Sequence, residues 1–464
     1  MISMNRITLM TALCVCLVGL VLSSCAVGPD YVKPQVDIPP AYKESGQWQA
    51  ARPMDDSPRG PWWTIFADKE LDRLMEILNR QNPSIAQAEA QYRQSQALLR
   101  QAEAGLMPTL NATASSSHGT LTPGAGGTNQ YSVAASASWE ADVWGGVRRT
   151  IEAGKAKEAA SSAQLSAIRL SSQAQLATAY LQLVVADQQL RQLEASEKIV
   201  QQTLVLTRNQ YNAGVASPAS VTLAESQLKT AQALRVQRQL SRAQLEHAIA
   251  ASLGMAPASL TLQPISLAPR LPQIPAGLPS TLLERRPDIA SAERNMAQAN
   301  AQIGVATAAF FPNLTLSASG GYRGASFADW ISAPNQIWSV GPQLALTLFD
   351  GGLRRAQTDQ AIAAYEASVA GYRQTVLAAL QAVEDNLSAQ SLLAEQAELQ
   401  QGALTAATRA ETITLNQYQA GTVGYLSVLA AQNSRIVAEN TLWSVKSSQY
   451  SSCVGLISSL GGSW

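Results

Sequence analysis

Two tandem copies of one unit make up this chain, and the repeat restricts the possible folds more than any other feature. The segment that begins at Pro83 matches the segment that begins at Pro287, at an offset of about 204 residues. The turn Tyr-Asn-Ala-Gly at residues 211–214 matches Tyr-Gln-Ala-Gly at residues 418–421, at an offset of about 207 residues. Because the offset drifts slowly, the copies differ by small loop insertions, and we expect the same fold twice.

Each copy holds a helical pattern of unusual length. The first runs from near Gly146 to Tyr211, and the second runs from near Gly352 to Tyr418, both without a proline. About 65 residues at about 1.5 Å per residue give a helix on the order of 100 Å long. Such length without internal caps is typical of coiled-coil packing. Shorter return helices are predicted at residues 219–253 and 426–460.

A further helix opens each copy. Pro83 and Pro287 suit the first turn of a helix, where a missing N–H removes no hydrogen bond. These two helices are predicted to end near residues 106 and 309, because Pro108 and Pro312 cannot continue them. The order within each copy is therefore helix, two strands and two helices.

Between these helices lie four segments in which apolar and polar residues alternate, as they do in β-strands. They are residues 109–117, 131–141, 314–322 and 337–349. Each is close to the roughly 9–11 residues that a tilted strand needs to cross a bilayer. Aromatic residues near the strand ends predict a membrane aromatic belt formed by Tyr131, Trp139, Tyr322 and Trp338.

Alternation by itself does not separate a membrane sheet from a half-buried sheet in a soluble protein. The aromatic placement and the N-terminal signal described next favour the membrane. Four strands are too few to close a barrel of useful size, and lipid tolerates no open sheet edge. A membrane-spanning sheet would therefore need strands from further chains, and three copies would supply twelve.

The N-terminus carries a secretion and lipidation signal. Arg6 supplies the positive charge, and the apolar run at residues 7–22 is too short to read as a membrane span. The run leads through Ser-Ser to Cys25, which resembles a lipoprotein signal with cleavage before this cysteine and acylation of it. The next residue is Ala26 and not an aspartate. In such lipoproteins a residue of this class after the cysteine directs release to the outer membrane. The alternative is an ordinary signal peptide with an incidental cysteine.

These features divide the chain into five segments. The predicted bounds are 1–24 for the signal peptide, 25–67 for a lipid-anchored proline-rich strap, 68–255 for the first repeat, 256–286 for a proline-rich linker and 287–464 for the second repeat. Both proline-rich segments are predicted to be extended.

Neither charge nor reactive residues point to nucleic acid binding or catalysis. The formal net charge is +0, which gives no electrostatic reason to expect nucleic acid. The two histidines, His118 and His247, lie in no catalytic motif, and no phosphate loop or nucleophile elbow is present. The mature chain would keep only Cys25 and Cys453, so we expect no disulfide, no metal site and no cofactor apart from the lipid on Cys25.

The sequence resembles the TolC-like outer membrane factors, in the lipoprotein branch that serves resistance-nodulation-division efflux pumps. The resemblance covers essentially the whole chain. It rests on CAVGPDYVKP at residues 25–34, WWTIFADKELDRLM at 62–75, SWEADVWGGVRR at 138–149, the block from ERRPDIASAER at 284–294 to AFFPNLTLS at 309–317, LFDGG at 348–352 and the paired YNAG and YQAG turns.

This resemblance implies a mainly α fold with membrane β-structure, in which three chains form a twelve-stranded outer-membrane barrel that continues as a periplasmic α-helical barrel. It also implies that the homotrimer docks to a periplasmic membrane-fusion adaptor coupled to an inner-membrane pump. The implied function is a passive exit duct for drugs and other small toxic compounds. We therefore expect outer-membrane lipid as a further partner and no enzymatic activity.

The resemblance also assigns the two hairpin turns to the periplasmic end of the channel. The implied adaptor-docking tips are Gly214, Val215, Ala216, Ser217, Gly421, Thr422, Val423 and Gly424. Gly214 and Gly421 suit left-handed helix caps, which is a purely structural role. Both roles are compatible.

The implied gate departs from the family pattern. Its positions are Tyr425, Leu426, Ser427 and Ala430, with Ser220 as the first-copy counterpart. Ala430 stands where relatives commonly carry a gate aspartate, and Ser427 and Ser220 stand at further acidic positions. Leu426 matches the apolar constriction residue. We hypothesise that the gate closes by apolar packing of Leu426 with Tyr425, and that cation preference is weaker than an aspartate ring would give.

Two other functions stay open at this stage. A type I protein secretion channel would share the fold, although the lipidated N-terminus argues against it. A periplasmic coiled-coil structural lipoprotein would use the helices without a pore.

Overall fold

The computed structural model describes residues 26–34, 41–43, 60–119, 127–265, 271–272, 274 and 285–462. The predicted signal peptide and Cys25 lie outside these residues. The chain forms two compact units, and each draws segments from both sequence copies. The strand unit contains Ala90–Ala163 and Ala290–Gln374 together with the start of the strap, and the hairpin unit contains Asp37–Glu89, Gln164–Ile289 and Thr375–Trp464.

Seven α-helices lie in the described part of the chain. They are α1 Lys69–Gln81, α2 Pro83–Ala104, α3 Gly146–Asn212, α4 Pro218–Ser252, α5 Pro287–Ala308, α6 Leu353–Gln419 and α7 Tyr425–Ser459. The repeat is visible in their lengths, since α2 and α5 have 22 residues each, α3 and α6 have 67, and α4 and α7 have 35. The predicted helices of both copies are confirmed, and Pro83 and Pro287 are the first residues of α2 and α5.

The long and return helices of both copies end in the same glycine cap. Gly214 and Gly421 end the long helices with φ of +75° and +73°. In each cap the glycine N–H donates to the carbonyl three residues back, and the next N–H donates to the carbonyl five residues before it. This is the Schellman motif, which satisfies carbonyls that the helix leaves free. Gly254 and Gly461 end the return helices in the same way.

Four short helical elements of the described chain were not expected from the sequence, and two of them are the 3-10 segments Trp62–Phe66, inside the strap predicted to be extended, and Ala333–Asn335. Helix α1 is capped by Asp68, whose carboxylate accepts the N–H groups of Glu70 and Leu71 at 2.9 and 3.1 Å. Its buried face consists of Leu71, Leu74, Met75 and Leu78, at the spacing of one helix side. In the linker, Pro257–Ser259 forms a 3-10 turn instead of extended chain, because the Ser259 N–H donates to the Ala256 carbonyl at 2.8 Å.

Four strands form one antiparallel sheet whose spatial order follows the sequence. They are β1 Thr109–Gly119, β2 Thr128–Ala141, β3 Asn313–Gly324 and β4 Gln336–Ala345. Each copy contributes one adjacent pair, and the contact between β2 and β3 joins the copies. All four predicted strands are confirmed.

Strand β4 is shorter than predicted, because the segment expected to reach Phe349 ends at Ala345. Ala345 pairs with Asn313, the first residue of β3. The residue before Asn313 is Pro312, which has no N–H to offer to a further rung of the ladder. Beyond this point the Arg354 guanidinium donates to the Thr347 carbonyl at 2.7 Å, so this segment belongs to the turn into α6.

The hairpin unit buries a large apolar core beneath α1 and the Trp62–Phe66 3-10 segment. Tyr180 of α3 is 1% exposed, and its hydroxyl donates to the Asp68 carboxylate at 2.9 Å. Cys453 of α7 is fully buried in the same core, and burial raises the pKa of its thiol to about 12. Cys453 is therefore a small packing residue of this core.

Replacing Gly254 by alanine is expected to destabilise the protein, whereas Gly402→Ala serves as the matched control. Gly254 has φ of +73°, and a Cβ there would lie 2.5 Å from the Gln81 carbonyl oxygen. The substitution should cost about 1–3 kcal/mol. Gly402 lies inside α6 with open space around it, so alanine should stabilise by about 0.5–1 kcal/mol. The apparent Tm of the purified protein should fall for the first variant only, and equal shifts would contradict the cap.

Candidate functional site

The two faces of the sheet differ in chemistry. On the apolar face, Val133 pairs with Tyr322. On the polar face, the hydroxyls of Ser115 and Ser132 lie 2.7 Å apart across β1 and β2. The apolar face also carries Leu110, Ala112, Ala114, Ala135, Ala137, Leu314, Leu316, Ala318, Val340 and Leu344. Leu110 and Val340 are 77% and 74% exposed, so much of this face is open in the described chain.

The four residues predicted as an aromatic belt all lie on this apolar face. Tyr131, Tyr322 and Trp338 lie toward the end of the sheet where β2 and β4 begin and β3 ends. Trp139 lies toward the opposite end, and its indole N–H donates to the Leu106 carbonyl at 2.9 Å. The belt therefore has members near both ends of the sheet.

Sequence reasoning missed further aromatic residues beside the strands, because they lie in turns where no alternation marks them. Phe327 and Trp330 lie against Tyr131, with ring centroids 5.4 and 6.4 Å from it. Near the other end, Trp144 stacks on Phe311 at 4.7 Å. The sequence feature that could have identified these aromatic residues is their position close to the end of a strand.

Strands β1 and β4 each have a neighbour on one side only within the described sheet. An edge strand presents a row of unpaired N–H and C=O groups, which pair readily with another strand. No described segment of the chain covers these edges. The sheet is therefore open to strand addition at both sides.

The eight predicted docking residues form the two hairpin turns of the hairpin unit. In the first turn, Val215 is 70% exposed, and Ser217 caps α4 by accepting the Ser220 N–H at 3.3 Å. In the second turn, Val423 is partly buried against the apolar cluster described next, and Gly424 caps α7 without a side-chain bond. Ala216, Thr422 and the two cap glycines complete the turns. The copies thus present different surfaces at their tips.

Next to the tips lies a small apolar cluster, formed by Leu204, Ala224, Tyr418, Tyr425 and Val428. The rings of Tyr418 and Tyr425 meet edge to face, with centroids 5.9 Å apart. The hydroxyl of Tyr425 has no hydrogen-bond partner among the described residues, and burial raises its pKa to about 12. This phenol therefore stays neutral at ordinary pH.

Within the protomer, Tyr425 packs into this cluster and Leu426 lies outside it. Tyr425 is 3% exposed inside the protomer, whereas Leu426 is 67% exposed. Adjacent residues of a helix point about 100° apart, so burial of one turns the other outward. Ser427 and Ala430 are exposed as well, and Ser220 is half-buried in the α4 cap.

A polar seam joins the two hairpins and was not predicted. It consists of Ser196, Thr203 and Thr207 of α3 with Tyr418 of α6 and Gln432 and Arg435 of α7. The Tyr418 hydroxyl donates to Thr207 Oγ1 at 3.0 Å, Gln432 donates to Thr203 at 3.1 Å, and Arg435 donates to Ser196 at 2.8 Å. The α3 residues follow heptad-like spacings of seven and four, which was the available signal.

Arg435 is the charged member of this seam. It is 7% exposed and forms ion pairs with Glu411 of α6 and Glu439 of α7. Burial raises the pKa of Glu439, although Arg435 opposes that shift. Removing the guanidinium would leave two buried carboxylates without their cation, which is strongly destabilising.

Among the described residues, none of the helices combines the length and apolar character that crossing a membrane requires. Nor do the described His, Cys, Asp and Glu side chains include a group of three or more placed to hold a metal ion.

A sheet with one bare apolar face, joined to two long helical hairpins, is the architecture of a TolC-like channel protomer. The chain belongs to the outer membrane efflux protein family, whose model matches residues 74–255 and 278–462. The pyoverdine export outer membrane protein OpmQ of Pseudomonas aeruginosa is 32% identical over 449 residues, which cover 92% of this chain and 93% of that protein. The cation efflux system protein CusC of Escherichia coli is 28% identical over 457 residues, which cover 96% and 97%.

Solved structures show the same fold. The outer-membrane channel OprN matches with a TM-score of 0.87 at 29% identity, over 95% of this chain and 100% of that one. A crystal structure of CusC matches with a TM-score of 0.84 at 26% identity, over 94% and 100%. The resemblance that the sequence motifs suggested is thereby confirmed.

The tip cluster offers a paired test of its two tyrosines. Tyr418→Phe breaks the 3.0 Å bond to the fully buried Thr207 hydroxyl and should cost about 1–2 kcal/mol. Tyr425→Phe removes a buried hydroxyl that has no partner and should leave stability unchanged or raise it. The apparent Tm of each purified variant is the measurement. A loss for Tyr425→Phe as large as that for Tyr418→Phe would contradict the described packing.

Proposed function

We propose that this chain is the outer-membrane channel subunit of a tripartite efflux pump. It would serve as a passive exit duct for drugs and other small toxic compounds, driven by an inner-membrane transporter through a periplasmic adaptor. The sheet carries this proposal, because one face is apolar and exposed while the other is lined by hydroxyl and amide groups. The names of relatives, which mention cations, pyoverdine and toluene, support small solutes as cargo.

The proposed assembly is a homotrimer. Strands β1 and β4 leave backbone groups unpaired, and hydrocarbon offers no partner for them. Pairing β4 of one protomer with β1 of the next satisfies these groups, and three copies of four strands close a twelve-stranded barrel. The apolar face then meets lipid, and the hydroxyl face lines the pore.

We further propose that Cys25 carries the lipid that anchors the protein to the outer membrane. The next residue, Ala26, lies against Gly145, in the turn that leads from β2 to α3. An acyl chain on Cys25 would thus begin near the helix-joining end of the sheet. No other cofactor is proposed.

The two hairpin turns are proposed to dock the adaptor. Val215 is the most exposed large apolar side chain of these turns, and the second turn offers Thr422 and its glycines instead. Leu426 is proposed to form the constriction by packing against copies of itself in the trimer. Tyr425 supports it from inside the protomer by fixing the first turn of α7.

The channel proposal is tested by gel electrophoresis and by conductance measurements in planar bilayers. The purified, lipidated chain should migrate as a heat-sensitive trimer in mild detergent and should conduct ions in planar bilayers. A trimer without conductance, even after disruption of the tips, would favour the periplasmic scaffold. Loss of resistance to small compounds on gene deletion would support efflux, whereas loss of protein secretion alone would favour a type I secretion channel.

Installing an acid at the gate should change ion selectivity. Ala430→Asp places one exposed carboxylate per protomer near the constriction, and three carboxylates concentrate cations there. We expect cation preference and block by divalent cations to rise in single-channel recordings. Ala403→Asp, at an exposed position of α6 far from the tip, is the control and should change neither. Strong divalent block of the unaltered protein would contradict the proposed apolar gate.

A further inference from the structure

The strap segment at residues 27–30 lies along the strand unit, where β2 leads into α3 and α5 leads into β3. The Val27 N–H donates to the Trp144 carbonyl at 3.1 Å. The Trp144 indole N–H in turn donates to the Pro312 carbonyl at 2.8 Å, immediately before β3. The strap, the start of α3 and the start of β3 are thereby joined by consecutive hydrogen bonds.

Arg149 of α3 provides the main contact with this strap. Its side chain is only 4% exposed. Its guanidinium donates to the Val27 and Gly28 carbonyls at 3.1 Å each, and to the Asp30 carboxylate at 2.8 Å. Glu152, one helical turn away, accepts a hydrogen bond from the other terminal nitrogen, Nη1, at 2.7 Å. A buried guanidinium needs such a set of acceptors, and the strap supplies three of them.

Two glycines allow the strap to approach this closely. A Cβ on Gly28 would lie 2.5 Å from the Gly304 Cα of α5, and Gly28 has φ of +94°. A Cβ on Gly304 would lie 2.8 Å from the side chain of Arg149. Asn300, also in α5 and 4% exposed, donates to the Pro29 carbonyl at 2.9 Å. The site thus fits a backbone with glycine at position 28 and excludes one with a side chain there.

The second copy of the repeat provides an internal comparison. The counterpart of Arg149 is Arg355, at an offset of about 206 residues, and it is exposed. The counterpart of Gly304 is Arg100, which is also exposed and has a long side chain where the site needs none. The elements of this binding site therefore occur together in one of the two equivalent positions only.

We propose that residues 27–30 act as an internal peptide ligand, that Arg149 is the residue that positions them, and that this docking connects a lipid anchor on Cys25 to the strand–helix junction. Only a few residues then separate the lipid anchor from the docked segment, so the anchor is held close to the sheet and is not joined to it by a flexible linker. The docking itself does not depend on the proposed function. The connection to the membrane does, because it requires acylated Cys25.

Hydrogen exchange of the purified full-length protein tests the docking. In Arg149→Ala the amide of Val27, which donates to the Trp144 carbonyl, should exchange about 10- to 100-fold faster, since the charge-assisted hydrogen bonds that hold the strap are lost. Arg355→Ala, the matched control, should exchange like the unaltered protein. Unchanged protection in Arg149→Ala would overturn the docking.

A second variant covers the case in which Arg149→Ala does not fold. Gly28→Ala alters the strap alone, and its Cβ would overlap Gly304. It should release the strap with the same gain in exchange while the β2 and β3 amides stay protected. A Gly28→Ala strap that remains protected would overturn the proposed fit.

The connection to the anchor is tested by a double-mutant cycle on the dissociation temperature of the trimer. Cys25→Ser, exported with an ordinary cleavable signal peptide, and Arg149→Ala should each lower this temperature, and the double variant should fall no further than the lower single variant. Full additivity would overturn the connection, because independent contributions add. If mass spectrometry finds no acyl group on Cys25 of the unaltered protein, the anchor in the proposed function fails. Protection of the Val27 amide still tests the docking in that case.

Discussion

Unpaired backbone at the two edges of a four-stranded sheet is the constraint on which the proposed assembly depends. In water these N–H and C=O groups bond to solvent, but in hydrocarbon each unsatisfied group costs several kcal/mol. The sheet has an apolar face that is largely exposed in the described chain, so an environment without water stabilises this face and destabilises the unpaired edges. Closing the sheet with further copies removes that conflict. The exposed hydroxyl face, which would be costly in lipid, then has water on the inside.

The hairpin unit meets a different requirement, because its helices must pack over a great length with few large apolar residues. Its solution near the tips is a polar seam in which Ser196, Thr203 and Thr207 accept hydrogen bonds from the opposite hairpin. Buried polar contacts of this kind fix the register between helices, since a shift by one turn would leave each donor and acceptor unpaired. The small apolar cluster around Tyr425 adds packing next to this polar seam.

The sequence was sufficient to predict the four strands, the paired helices and the glycine caps, because each depends on local chemistry that repeats at a constant offset. The end of β4 was misplaced, since alternation continues through Leu348 while the partner strand begins only after Pro312. The burial of Tyr425 within the protomer was not predicted, because its sequence position next to Leu426 does not reveal which face of α7 is buried. The contacts of Arg149 were missed for a similar reason. They join residues more than one hundred positions apart, and no periodic pattern reports such a pair.

The identical lengths of the paired helices also restrict how this chain could have diverged. The long helices have 67 residues in both copies, and the return helices have 35 residues in both copies. At about 1.5 Å per residue, deleting one heptad from a single arm would set its tip back by roughly 10 Å and leave a step in any rim that the tips form. We therefore expect a change of helix length in one copy to be tolerated only when the other copy carries the same change.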